Sequence, residues 1–200
     1  MLSRRAILLA ALANLVSETG IAEAAKPLTF EQVQQVVDRE LHKSHRDVPG
    51  CLLSRGDVTA VLAELQRQGW QPTNEKQIID ATLPDQHFLV RMLREPRAKA
   101  FVATVSKLPN GYDRVEHLSR LPDGPSMIDR LIDTPDGAKM IEYMATTDGG
   151  RNLGDMLSAS PNGEGFNKPT GHLYTRDDLI SRLRKGQPKG TTVKKSPKGK

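Results

Sequence analysis

The chain reads as an all-α protein: one compact domain of short helices, including a tandem array of turn-plus-helix units of about 13 residues, with a basic C-terminal tail. Three observations predict this. Residues 84–166 carry one short phrase again and again, opening at Pro84, Pro96, Pro109, Pro122, Pro135, Thr147 and Pro161. Three further segments begin with a capping box followed by an apolar helical stripe. No segment alternates apolar and polar residues between turn signals, as a half-buried strand would.

Residues 1–25 are expected to be an export signal, not part of the fold. Arg4 and Arg5 form a basic start, Ala6–Val16 an apolar run, and Ala22-Glu23-Ala24 a small-residue cleavage site. The apolar run is too short to span a bilayer. Both the general secretory route and a twin-arginine route suit Ser3-Arg4-Arg5. The predicted location is periplasmic or secreted, with no transmembrane segment in the mature chain.

The domain is expected to cover residues 26–184. Its first helix is predicted from Thr29 to Ser44, with Phe30, Val33, Val37 and Leu41 on one face and Thr29/Gln32 as the capping box. A second runs from Ser54 to Gln68, capped by Ser54/Asp57, its stripe Val58, Val61, Leu62 and Leu65. Gly69 stops it, and Trp70 is expected to pack beneath the stop. Asn74–Thr82 reads as a short third helix carrying Ile78 and Ile79.

The repeated units follow. Proline is tolerated in a first helical turn, Asp or Asn beside it favours a turn or cap, and glycine permits a sharp bend. Six residues after each opener stand Val90, Val102, Val115, Ile128, Ile141 and Leu153. Nine residues after stand Leu93, Val105, Leu118, Leu131, Met144 and Met156. Residues three apart share a helical face, so each unit predicts a short helix that buries a stripe against its neighbours. A last helix starts at the Thr175/Asp178 capping box. Residues 185–200 hold one apolar residue, Val193, among Lys, Gly, Pro, Ser and Thr, and are expected to be a disordered basic tail.

The charge is unevenly placed. Eight basic and no acidic residues lie from Arg182 onward, against a total of +5, so the body of the chain is mildly acidic. The tail suits an anionic surface or polymer. Nucleic acid is not the expected partner, because the tail offers no aromatic ring for base stacking and export removes the chain from most of it.

The chemistry-bearing residues are few. The single cysteine, Cys51, excludes an internal disulfide. His42 and His45 sit three apart with Asp47 and Cys51 close behind, but without a third ligand at diagnostic spacing, and Lys43 and Arg46 disfavour a cation. No cofactor or metal is called for, and no catalytic or phosphate-binding motif occurs. The connector 157–174 is a long polar loop, a usual place for binding groups. With the helix before it, it supplies the candidate binding residues Arg151, Asn152, Asp155, Asn162, Asn167 and His172. The sequence therefore predicts an exported binding or scaffolding module, its tail a tether. The alternative is a small exported hydrolase using residues 42–51, where Cys51 would need a histidine (His42, His45, His87, His117 or His172), or the 151–172 loop.

Overall fold

The structure, a computed structural model, describes residues 28–188. The predicted export signal and residues 189–200 of the predicted tail lie outside the described residues. Among the described residues ten α-helices follow one another: α1 (Phe30–Lys43), α2 (Arg55–Arg67), α3 (Glu75–Asp80), α4 (Phe88–Met92), α5 (Lys99–Val105), α6 (Gly111–Arg120), α7 (Gly124–Asp133), α8 (Gly137–Thr146), α9 (Asp148–Ser158) and α10 (Arg176–Lys185). A 3-10 turn, Pro96–Ala98, precedes α5. Among the described residues there is no strand, only an isolated parallel bridge between Thr82 and Leu173. No helix among them is long and apolar enough to cross a membrane.

All three capping boxes form. Thr29, Ser54 and Thr175 each accept the backbone N–H three residues on, while Gln32, Asp57 and Asp178 reach back to the cap N–H. Each satisfies helix-end donors that would otherwise be orphaned. Asn74 does not cap α3; its amide instead donates to the Arg182 carbonyl at 2.9 Å. The Gly186 carbonyl accepts from Thr73 N–H at 2.8 Å. The chain is thus tied in through Gly186, two residues past the predicted domain boundary.

The apolar residues form two clusters. One joins α1, α2, Trp70, α3 and α10, with Val33, Val37, Leu41, Leu65 and Leu183 at its centre. The other is built on α4 to α8, with Leu89, Val115, Ile128 and Ile141 wholly buried. The strap of residues 166–174 lies between them: Phe166 and Tyr174 belong to the second cluster, Leu173 to the first. Leu173 N–H donates to Ala81 O at 2.5 Å, and Leu53 N–H to Tyr174 O at 2.7 Å. The returning chain clips the two halves together.

The repeated region makes six short helices, and none runs through Pro109 or Pro122. Its physics differs from the sequence expectation in three ways. Pro109, Pro122 and Pro135 lie two residues before α6, α7 and α8, outside the first turn. Asn110, Asp123 and Asp136 give no side-chain cap; Asn110 and Asp123 take the left-handed backbone, with φ of 53° and 57°. Glycine is required by close approach and not by bending. A Cβ on Gly111, Gly124 or Gly137 would stand 2.1, 2.0 or 1.8 Å from the carbonyl oxygen of Val105, Leu118 or Leu131. Gly150 and Gly163 meet the Tyr143 and Leu157 carbonyls in the same way.

The regularity has limits. α4 has no such glycine at its start, and the unit opening at Pro161 forms no helix. Met156 is 72% exposed, and Leu131 is only partly buried while its neighbour Ile132 is buried. Nor do the helices stack in a line, since α8 packs on α5 and α6 as well as on α7 and α9.

Candidate functional site

Helix α6 is the enclosed one. Four of its charged or polar residues, Asp113, Arg114, Glu116 and His117, are buried, because the strap covers the face that the rest of the body leaves open. Burying such groups is unfavourable unless they are hydrogen-bonded. The strap supplies most of the partners. Asp113 accepts from the Thr170 N–H at 2.7 Å and the Thr170 hydroxyl at 2.6 Å. Glu116 accepts from His172 Nδ1 at 2.7 Å, from the Tyr174 hydroxyl and, within its own helix, from Arg120 at 2.5 Å. Tyr174 stacks on Tyr112 with ring centroids 5.3 Å apart. His117 donates Nδ1–H to the Asp113 carbonyl at 2.8 Å, as a carbonyl can only accept.

The electrostatics follow from this packing. Burial pushes the Glu116 carboxyl up, but the hydrogen bonds from His172 and Tyr174, the His172 charge and Arg120 outweigh it and hold the group down at about 2. Burial, and then the Glu116 carboxylate, push the Tyr174 phenol far up, so it remains a donor. Burial is the main cause that lowers His87; Glu116 opposes that shift, while His172 and Arg120 add to it.

A prediction comes directly from Glu116. Its folded pKa lies below the unfolded value of 4.5, so its contribution to stability is fully present above that value and is lost as pH falls through about 2. The side chain is 2% exposed, so solvent screening is slight. The contribution is on the order of 3 kcal/mol. Urea unfolding measured from pH 7 to pH 2 is expected to show this loss in the parent and a flatter profile in Glu116→Gln. Equal slopes in the two would show that Glu116 is not the group being titrated.

His172 joins this buried network to solvent. Its side chain is 26% exposed and lines a cleft of about 470 Å³ between the start of α6 and α10. With Nδ1 donating to Glu116, the other ring nitrogen accepts when the ring is neutral and donates when it is protonated. A second concavity, of about 400 Å³, adjoins along α10 and shares His172, Asp178 and Arg182 with the first. A third, of about 630 Å³, continues past the start of α10 to Asp47 and shares Ser106, Thr175 and Asp177. Together they make one furrow, with His172 where two of them meet.

The six residues predicted from the connector do not converge. Asp155 accepts from Asn167 at 2.8 Å, and the Asn167 oxygen accepts from Arg114 at 3.2 Å. Arg151 pairs with Asp148 on its own helix. Asn152 is exposed on α9, and Asn162 is an exposed turn residue at φ 65°. Of the six, His172 alone lines the furrow. Its partners Glu116, Thr170 and Tyr174, and Asp113, which accepts from Thr170, escaped the sequence reading. The available signal was the density of polar groups on α6, where Asp113, Arg114, Glu116 and His117 flank Val115 on both sides.

In the 42–51 segment no histidine is hydrogen-bonded to Cys51. His42 bonds to Asp47 at 2.7 Å on the surface, and His45 occupies a left-handed turn at φ 56°. The Cys51 sulfur lies 4.0 Å from Arg46 and 3.9 Å from the Leu52 carbonyl. His87 accepts the Leu89 N–H at 3.2 Å. Among the described residues no three metal-ligating side chains gather at one point. Comparison with family models, with curated proteins and with solved structures finds no match.

Proposed function

We propose that the protein is an exported binding module whose ligand site is the furrow along α10. One observation carries this reading: a partly exposed imidazole, held by a buried carboxylate, stands where adjoining concavities meet. A structural ion pair would need no concavity beside it, whereas convergent polar groups in a cleft are the usual mark of a ligand site. Export is supported by the basic, apolar and small-residue order of residues 1–25. The lysines of residues 189–200 support tethering to an anionic surface.

Amide NMR of the full chain against a small-molecule fragment library tests the site. Binding fragments are expected to shift residues 110–113 and 171–178. Hits confined to other surfaces, or none at all, would remove the reading. Removal of residues 189–200 is expected to abolish co-sedimentation with anionic vesicles without altering those shifts; unchanged sedimentation would exclude the tether.

A hydrolase is the second reading, and the Glu116–His172 pair favours it, because a carboxylate that orients an imidazole is the arrangement of a general base. Among the described residues, however, no hydroxyl or thiol is hydrogen-bonded to the second ring nitrogen of His172. Turnover of an ester fragment in the same titration, lost in His172→Ala, would reverse the order of the two readings.

A further inference from the structure

The lining of the furrow narrows what it holds; this step rests on the furrow being the binding site. Its carboxylates are Asp47, Asp113, Asp177 and Asp178. Its cations, Lys107, Arg176, Arg182 and Lys185, equal them in number. A groove that steers a polyanion or a polycation concentrates one sign of charge, and this one does not. Its apolar lining, chiefly Pro49, Ala103, Leu108 and Pro169, is divided between two of the concavities. The two aromatic residues on it, Tyr112 and Tyr174, are buried and stacked on each other, so their faces are hidden. Beside the charges and these apolar groups it presents hydroxyl and amide: Asn74, Gln77, Ser106, Asn110, Thr175 and Ser181.

The length of the furrow matters as well. Lining residues run from Lys185 at one end of α10 to Arg176 at the other and on to Asp47. The ten residues of α10 alone span about 15 Å, which is more than a single small solute fills. We propose that the furrow binds an extended, uncharged, hydroxyl-rich polymer, a neutral glycan strand. A peptide fits less well, because peptide grooves use an exposed strand edge or apolar side-chain pockets. Among the described residues there is no strand, and the apolar side chains exposed on the furrow are the small Pro49, Ala103 and Pro169. Without an exposed aromatic face each sugar ring is held weakly, so affinity has to accumulate along the strand.

The test is an amide NMR titration of the full chain with cellohexaose and chitohexaose, against glucose, hexalysine and a hexameric galacturonate. A neutral hexamer is expected to shift residues 110–113 and 171–178 with a Kd of about 1 mM, the range of a few modest hydrogen bonds, while glucose does not. Asn110→Gly, which keeps the left-handed backbone, and Asp177→Ala, on the surface, are each expected to weaken binding about fivefold, the factor for one hydrogen bond of about 1 kcal/mol. Unchanged melting temperatures would show that both variants fold. If a charged hexamer shifts these amides and neither neutral one does, the neutral glycan is wrong while the furrow stands as a site. If the neutral hexamers shift other residues, or bind no better than glucose, the proposal fails. If no oligomer and no fragment touches the furrow, both this proposal and the binding reading fall.

Discussion

Ile141→Ala is expected to lower the denaturant midpoint of the whole body, at a cost of about 2–5 kcal/mol. Ile141 is 0% exposed and sits on α8, the helix that packs on α5, α6, α7 and α9. Truncation leaves a cavity where four helices meet, and a wall shared by so many elements relaxes poorly. A folded domain holds only about 5–15 kcal/mol in total, so this is a large share. None of these helices exceeds eleven residues, and helices of that length do not persist alone in water. The loss should therefore appear as one cooperative shift and not as fraying of α8. Lys139→Ala, on the exposed side of the same helix, is expected to leave the midpoint within error; its ion pair with Asp136 is solvated at both ends. Urea unfolding followed by helical circular dichroism makes the comparison. Equal shifts for the two variants would mean that Ile141 is not in a shared core.

The capping boxes and the apolar stripes of α1 and α2 were legible in the sequence because both are local. Thr29 and Gln32, or Val33 and Val37, meet within one helical turn. Units with the same local pattern diverge where tertiary context enters. Met144 and Met156 hold the same place in successive units, yet Met144 is buried inside α8 and Met156 is exposed on α9. The site shows the limit most clearly. His172 could be picked out as a polar residue in a long loop. Its partner Glu116 is 56 residues away on a helix whose other polar residues would ordinarily face water. Only the return of the strap across α6 turns Asp113 and Glu116 into buried acceptors, and no periodicity within α6 encodes that return. The proline openers, in turn, drew attention from the glycines that follow them, because a close backbone approach leaves no mark in local propensity.

Those glycines carry the last expected result: Gly137→Ala should destabilise the protein by about 3 kcal/mol, at the upper end of typical overpacking effects. The sign is the informative part. Gly137 opens α8 with a backbone free of positive φ, and alanine is the better helix former by nearly 1 kcal/mol. Local propensity alone therefore predicts a gain. The added methyl, however, would stand 1.8 Å from the Leu131 carbonyl oxygen and 2.6 Å from its carbon. A backbone carbonyl inside the last turn of α7 cannot rotate aside as a side chain can, so α7 and α8 must separate, and Ile128 and Ile141 lie on those two helices. Gly149→Ala is the matched control. It too lies in the first turn of its helix, and its methyl would meet an obstacle at 2.2 Å, but that obstacle is the phenol oxygen of the half-exposed Tyr143, which can swing away. Gly149→Ala is expected to be neutral or slightly stabilising. Thermal and urea unfolding of the two variants beside the parent decide the matter. If Gly137→Ala matches or exceeds the parent in stability, the close approach of helix start to preceding carbonyl does not explain why glycine stands there, and the account of how these short helices are joined fails with it.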